Sequence, residues 1–116
     1  MEIKIVKDSI SKKELIDIAR GQFGDLVKAV VDVSQCIMAV CGEMHADEEV
    51  ALMEQEDSKR EYTWGISLYP EKGGEELIEF DSIINIKPSY NNRSQNVENQ
   101  KTREEIKVIV NKLIVE

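Results

Sequence analysis

The sequence predicts an α+β domain: a mostly antiparallel sheet of about 4–5 strands, with an N-terminal and a C-terminal helix packed on one face. Three observations carry this expectation. Apolar residues recur at helical spacing near the two ends, around residues 12–23 and 102–113. Between them, stretches within 26–44, 62–69 and 78–87 alternate with period two. These stretches are apolar on one face only, whereas strands of a doubly wound parallel sheet would be apolar throughout. The 116 residues read as one domain, 1–116, long enough to remove roughly 65% of the unfolded surface from water.

Taken in order, Ile3 and Ile5 alternate with Glu2 and Lys4 and predict a short first strand. Ser11-Lys12-Lys13-Glu14 is a capping box, in which the Ser11 hydroxyl accepts a free amide and Glu14 reaches back. Ile10 and Leu15 fit the hydrophobic staple. Leu15, Ile16, Ala19 and Phe23 share one helical face, and Gly21 or Gly24 ends the helix. A hairpin follows. With Ser34-Gln35 at a two-residue tip, Val33 pairs with Cys36 and Val31 with Met38. One face is then Val27, Ala29, Val31, Val33, Cys36, Met38 and Val40. Neither tip residue is Gly or Asn, so a longer loop stays open.

Asp47–Glu56 begins with three acids and continues in helix formers, which favours a short helix over a strand. Tyr62–Tyr69 is a strand ended by Pro70, with Trp64 on its core face. Ile78, Phe80, Ile84 and Ile86 read as the apolar face of another strand, with Glu79, Asp81, Asn85 and Lys87 opposite. Residues 88–100 form a polar loop. Thr102-Arg103-Glu104-Glu105 is a second capping box, opening a helix whose stripe is Ile106, Ile109, Val110 and Leu113.

Fifteen basic against 23 acidic side chains leave a net charge of −8, which repels nucleic acid and anionic membrane. The opening segment carries charges inside its apolar alternation and is no secretory signal. No window approaches a membrane span of about 18 apolar residues. Cys36 and Cys41 fall on opposite faces of one strand and cannot bridge there. The expected compartment is the reducing cytoplasm.

Three groupings could carry chemistry. Cys41, Glu43, His45 and Asp47 recur at every second residue, so a strand continuing to 47 would project all four from one face. Imidazole and carboxylate suit a divalent metal, with Glu43, His45 and Asp47 as ligands, or acid–base catalysis by the same three. Same-face neighbours start about 6.5–7 Å apart, so the outer pair needs a bend to close on one ion. Across the hairpin, Lys28 would face Cys41 and lower its thiol pKa; an inert half-buried cysteine is the plainer reading. The second grouping is Thr63, Ser67, Glu79, Asp81, Asn85 and Lys87 on the polar strand faces, which would join Glu43 and His45 if the two neighbour each other. The third is the acid-free stretch 87–97. There Lys87, Asn92, Arg93 and Ser94 offer the groups that hold an anion or carboxylate, Arg93 bidentately.

Gly42–Glu49, Trp64–Pro70, Asn85–Ser89 and Asn92-Arg93-Ser94 together resemble a family of small prokaryotic proteins known only as a domain of unknown function. That resemblance spans nearly the whole chain and implies no activity or catalytic residue. On the residues themselves, the expected function is a binding module using the polar sheet face and the 88–96 loop. The alternative is an enzyme or metal-binding protein centred on Glu43, His45 and Asp47, with an anionic substrate on Arg93. No cofactor is required beyond the optional divalent metal. The expected partner is a protein or a small anionic ligand. Apolar Val30, Ile37 and Ala39 on the otherwise polar face suggest self-association.

Overall fold

Period-two alternation turns directly into strand pairing over the first half of the chain. In the computed structural model, which describes residues 2–116 and so leaves Met1 aside, the elements are β1 (Lys4–Val6), β2 (Ile10–Ser11), α1 (Lys12–Gly21), β3 (Val27–Asp32), β4 (Ile37–Val40), α2 (His45–Glu56), β5 (Thr63–Leu68), β6 (Ile78–Glu79), α3 (Gln100–Leu113) and β7 (Ile114–Val115). Five strands form an antiparallel sheet in the order β1-β4-β3-β5-β6. The short β2 and β7 pair in parallel beside it. The fold is α+β with a five-stranded antiparallel sheet and three helices.

Alternation also divides the interior. Val27, Ala29, Val31, Met38 and Val40 enter one core with Leu15, Ile18 and Ala19 of α1 and Ile106, Ile109, Val110 and Leu113 of α3. Val30, Ile37 and Ala39, of opposite parity, join Leu52 of α2 and Ile84 in a second cluster. The chain's own α2 therefore covers the apolar residues that had suggested self-association. Leu52 alone is worth roughly 2–5 kcal/mol against alanine at a site with no exposure.

The β3–β4 hairpin keeps the expected Val31↔Met38 register, but its loop is four residues, Val33–Cys36. Asp32 causes this. Its Oδ1 accepts the backbone N–H of Ser34 (2.8 Å) and Gln35 (3.1 Å), while Oδ2 accepts from Gln35 Nε2 and the Ser58 hydroxyl. Such a side-chain turn replaces a tight tip. Cys36, at φ +58, consequently leaves the apolar face and is exposed. In α1, Ser11 caps as expected and Ile18 replaces Phe23 on the buried face.

Two expectations change further along. α3 starts before Thr102 because Asn99 is its cap, accepting the Thr102 N–H at 3.1 Å. The strand read over Ile78–Ile86 stops at Glu79 and gives way to a 3-10 turn, Ile83–Asn85. The side-chain amide of Asn85 takes over the edge of β5: Oδ1 accepts the Gly65 N–H (2.8 Å) and Nδ2 donates to the Gly65 carbonyl (3.0 Å). One amide thus does what a paired strand residue would do.

Candidate functional site

Lys28, Ser67 and Glu79 stand side by side because the registers Lys28↔Ser67 and Ser67↔Glu79 run straight across β3, β5 and β6. His45, the first residue of α2, closes over that row with Asp81, Ser82 and Gln95, and the group lines a cleft of about 420 Å³. Of the polar residues expected to join His45, Ser67, Glu79 and Asp81 do, whereas Thr63, Asn85 and Lys87 do not line the cleft. Glu43 is not part of the lining.

His45 is pinned at both ring nitrogens. Nε2 lies 2.8 Å from the Ile66 carbonyl oxygen and Nδ1 lies 2.8 Å from Oγ of Ser82. A carbonyl only accepts, so Nε2 carries the proton, and the Ser82 hydroxyl donates to Nδ1 of a neutral ring. Burial favours that state by pushing the imidazole below its ordinary pKa. The Ser82 oxygen in turn accepts the Ile84 N–H at 3.3 Å. Room for it comes from Gly65: a Cβ there would lie 2.6 Å from both Cβ and Oγ of Ser82.

The run of alternate side chains expected from Cys41 to Asp47 does not form. Cys41 adopts φ +75, the strand ends at Val40, and a helix begins at His45. Glu43 and Asp47 are exposed. Among the described residues, no three His, Cys, Asp or Glu side chains are grouped to hold a metal ion. The Cys41 thiol is buried, and burial pushes its pKa up rather than down.

The unexpected titratable group is Glu48, which has no exposed surface. One carboxyl oxygen accepts the Gly42 N–H at 2.9 Å and the other, equally buried, has no partner. Burial lifts its pKa to about 9, so at neutral pH it is a carboxylic acid. Gln22 Nε2 donates to the Cys41 carbonyl at 2.8 Å, which is the far edge of the same peptide group. Glu48 and Gln22 therefore hold the left-handed bend at Cys41 from opposite sides. The spacing Glu48, Ala51, Leu52 marks one helical face, and that was the available signal for its burial.

Within residues 87–98, Lys87, Asn92 and Ser94 spend their side-chain donors internally. The Lys87 ammonium donates to the carbonyls of Arg60 and Thr63 and sits 3.9 Å from the centre of the Trp64 ring. Burial draws its pKa down to about 8, so it is still charged at neutral pH. Asn92 is buried too, donating from Nδ2 to the carbonyls of Asn85, Ser94 and Asn96. The carboxylate of Glu98 accepts from the Ser94 hydroxyl (2.7 Å) and from the N–H groups of Arg93 (3.0 Å) and Ser94 (2.9 Å). These bonds, the Ser94 hydroxyl foremost, hold Glu98 below the usual carboxylate range. The carboxylate held here is the chain's own, and the Arg93 backbone N–H holds it, not the bidentate guanidinium that the sequence suggested. Arg93 and Ser94 are exposed and neither lines the His45 cleft, which Gln95 alone reaches from this loop.

Ser82 and Glu48 had no motif to announce them. A family model described as a protein of unknown function (DUF5674) matches residues 4–113, a span that includes every segment carrying the resemblance. No curated protein and no solved structure matches the chain.

Proposed function

The chain belongs to the DUF5674 family of proteins of unknown function, and from that premise we propose that it is a binding module for a small polar ligand held in the His45 cleft. The observation that carries this reading is the row Lys28–Ser67–Glu79 under a pinned histidine. A concavity of about 420 Å³ brings a cation, two carboxylates and the neutral side chains of His45, Ser67, Ser82 and Gln95 to one place. Lys28 suits an acidic group on the ligand, and Glu79 with Asp81 suits an amino group. A zwitterion satisfies both. We infer as well that α1 and α3 cover one face of the sheet together, since their apolar stripes join a single core. The cleft then belongs to the other face, beside α2.

Recognition at Lys87, Asn92, Arg93 and Ser94 has less behind it. Lys87 and Asn92 are committed to backbone carbonyls, and a carboxylate already occupies the Arg93–Ser94 amides. A divalent metal on Glu43, His45 and Asp47 has less still, because both His45 nitrogens are engaged. We assign the protein to a reducing cytosol on its two free cysteines, one of them exposed. No helix among the described residues is long and apolar enough to cross a membrane.

The test is a screen of amino-acid-like and other small zwitterions by two-dimensional NMR. Binders should shift the amides of Lys28, Ser67, Glu79 and Gln95, and Lys28→Ala should weaken them by about two- to fivefold. Binders that shift only residues 88–94 would move the site to the loop and end this reading.

A further inference from the structure

We propose that Ser82 is a nucleophile, activated by His45, that takes the acyl group of small carboxylic esters or thioesters bound in the cleft. This rests on the cleft being a ligand site and goes beyond it by assigning a reaction. The geometry has two parts that a serine nucleophile needs, a base in contact with it and a fixed tautomer of that base. Oγ donates to Nδ1 at 2.8 Å, which sets the base. Nε2–H is fixed on the Ile66 carbonyl at 2.8 Å, which sets the tautomer and steadies the imidazolium once it forms. The Ile84 N–H reaches the same oxygen at 3.3 Å and fixes where it sits.

A second observation is the glycine inside strand β5. Glycine inside a strand weakens it, and its use marks a place where another group must approach closely. The group approaching Gly65 is the Ser82 hydroxyl. Lys28 supplies the cation in the cleft that can offset an oxyanion.

In the forward step Oγ bonds to the acyl carbon as its proton passes to Nδ1 of His45. The carbon–oxygen or carbon–sulfur bond to the leaving group then breaks, and the leaving group departs with that proton. Water, deprotonated by His45, attacks the acyl-serine. The carboxylic acid is released and the Ser82 hydroxyl is restored. The sum is ester plus water giving acid plus alcohol or thiol.

The experiment is covalent labelling of the wild-type protein with an alkyl fluorophosphonate and, separately, with p-nitrophenyl acetate. Intact-mass spectrometry should show one added phosphonyl or acetyl group, and fragmentation should locate it on Ser82. The rate should fall by about 100-fold or more in His45→Gln, as loss of a general base predicts, and labelling should vanish in Ser82→Ala. Localisation in the wild-type chain does not depend on either variant folding. A serine that merely latches α2 to the Ser82–Asn85 turn gives a different result: no Ser82 adduct from either probe, or an adduct forming equally fast in folded His45→Gln. Either outcome overturns the proposal. Ligand shifts at Lys28 and Glu79 without a Ser82 adduct would overturn the nucleophile while the binding reading stands; absence of both removes the cleft altogether.

Discussion

Glu48 accepts a single hydrogen bond, 2.9 Å from the backbone N–H of Gly42, and leaves its other oxygen buried with no partner. A carboxylate in that place would face a desolvation cost far larger than one bond returns. The proton is therefore part of the fold. Because the folded pKa, about 9, lies above the ordinary 4.5, Glu48 contributes stability that is complete below pH 4.5 and is lost as pH rises through about 9. Urea denaturation at several pH values between 5 and 8 checks this. Glu48→Gln, which keeps an acceptor for Gly42 and cannot ionise, should remove most of that slope. Parallel slopes in the two proteins would refute it. Above about pH 8 Lys87 pulls the other way, its pKa being lowered by burial, so the comparison belongs below that point.

Gly42 is fixed by the same contact. A Cβ there would stand 2.5 Å from Cγ of Glu48, in the aliphatic part of the side chain and not its mobile end. Gly42→Ala should cost about 1–3 kcal/mol by overpacking. The double variant with Glu48→Ala should recover part of that loss, and thermal denaturation of the four proteins in the cycle measures the coupling. Strict additivity would show that the two positions do not compete for space.

His45 should titrate below 6.5. Its folded pKa is depressed by burial, so the stability it contributes is present above pH 6.5 and lost as pH falls through the folded value. Long-range ¹⁵N–¹H correlation on this single histidine should find Nε2 protonated and Nδ1 bare at pH 7.5. The reverse assignment would break the bond to the Ile66 carbonyl and reverse the direction of the bond to Ser82.

Asn85 has no exposed surface and satisfies both polar groups of Gly65. Asn85→Ala leaves a buried N–H and C=O unpaired, at about 2–5 kcal/mol for the two together. Amide exchange at Gly65 should accelerate with it. A stability loss below about 0.5 kcal/mol would mean that water replaces the amide without difficulty.

Where regular spacing decides the structure, the residues were legible in advance. The Ser11 cap, the Val31↔Met38 register and β5 follow from a cap or from periodicity, and α2 from its acidic opening and helix-forming residues. Where one side chain overrides spacing, they were not. Ile84 and Ile86 continue a period-two pattern that Asn85 and Ser82 interrupt by bonding across to Gly65 and His45. Asn99 captures the start of α3 ahead of Thr102. At the site, the alternation from Cys41 to Asp47 assumed extended backbone, whereas the left-handed bend at Cys41 and the helix after it redistribute those side chains. His45 was found by its chemistry. Its partner Ser82 is 37 positions away and has no local signature.

The grip of Arg93 and Ser94 on Glu98 also sets a competition. A carboxylate tethered four and five residues from its own donors is present at an effective concentration on the order of millimolar or above. A free monocarboxylate must exceed that local supply before it occupies the loop at all. The Arg93 and Ser94 amides are thus closed to weak, singly charged anions, and only a ligand with additional contacts can displace Glu98 from them.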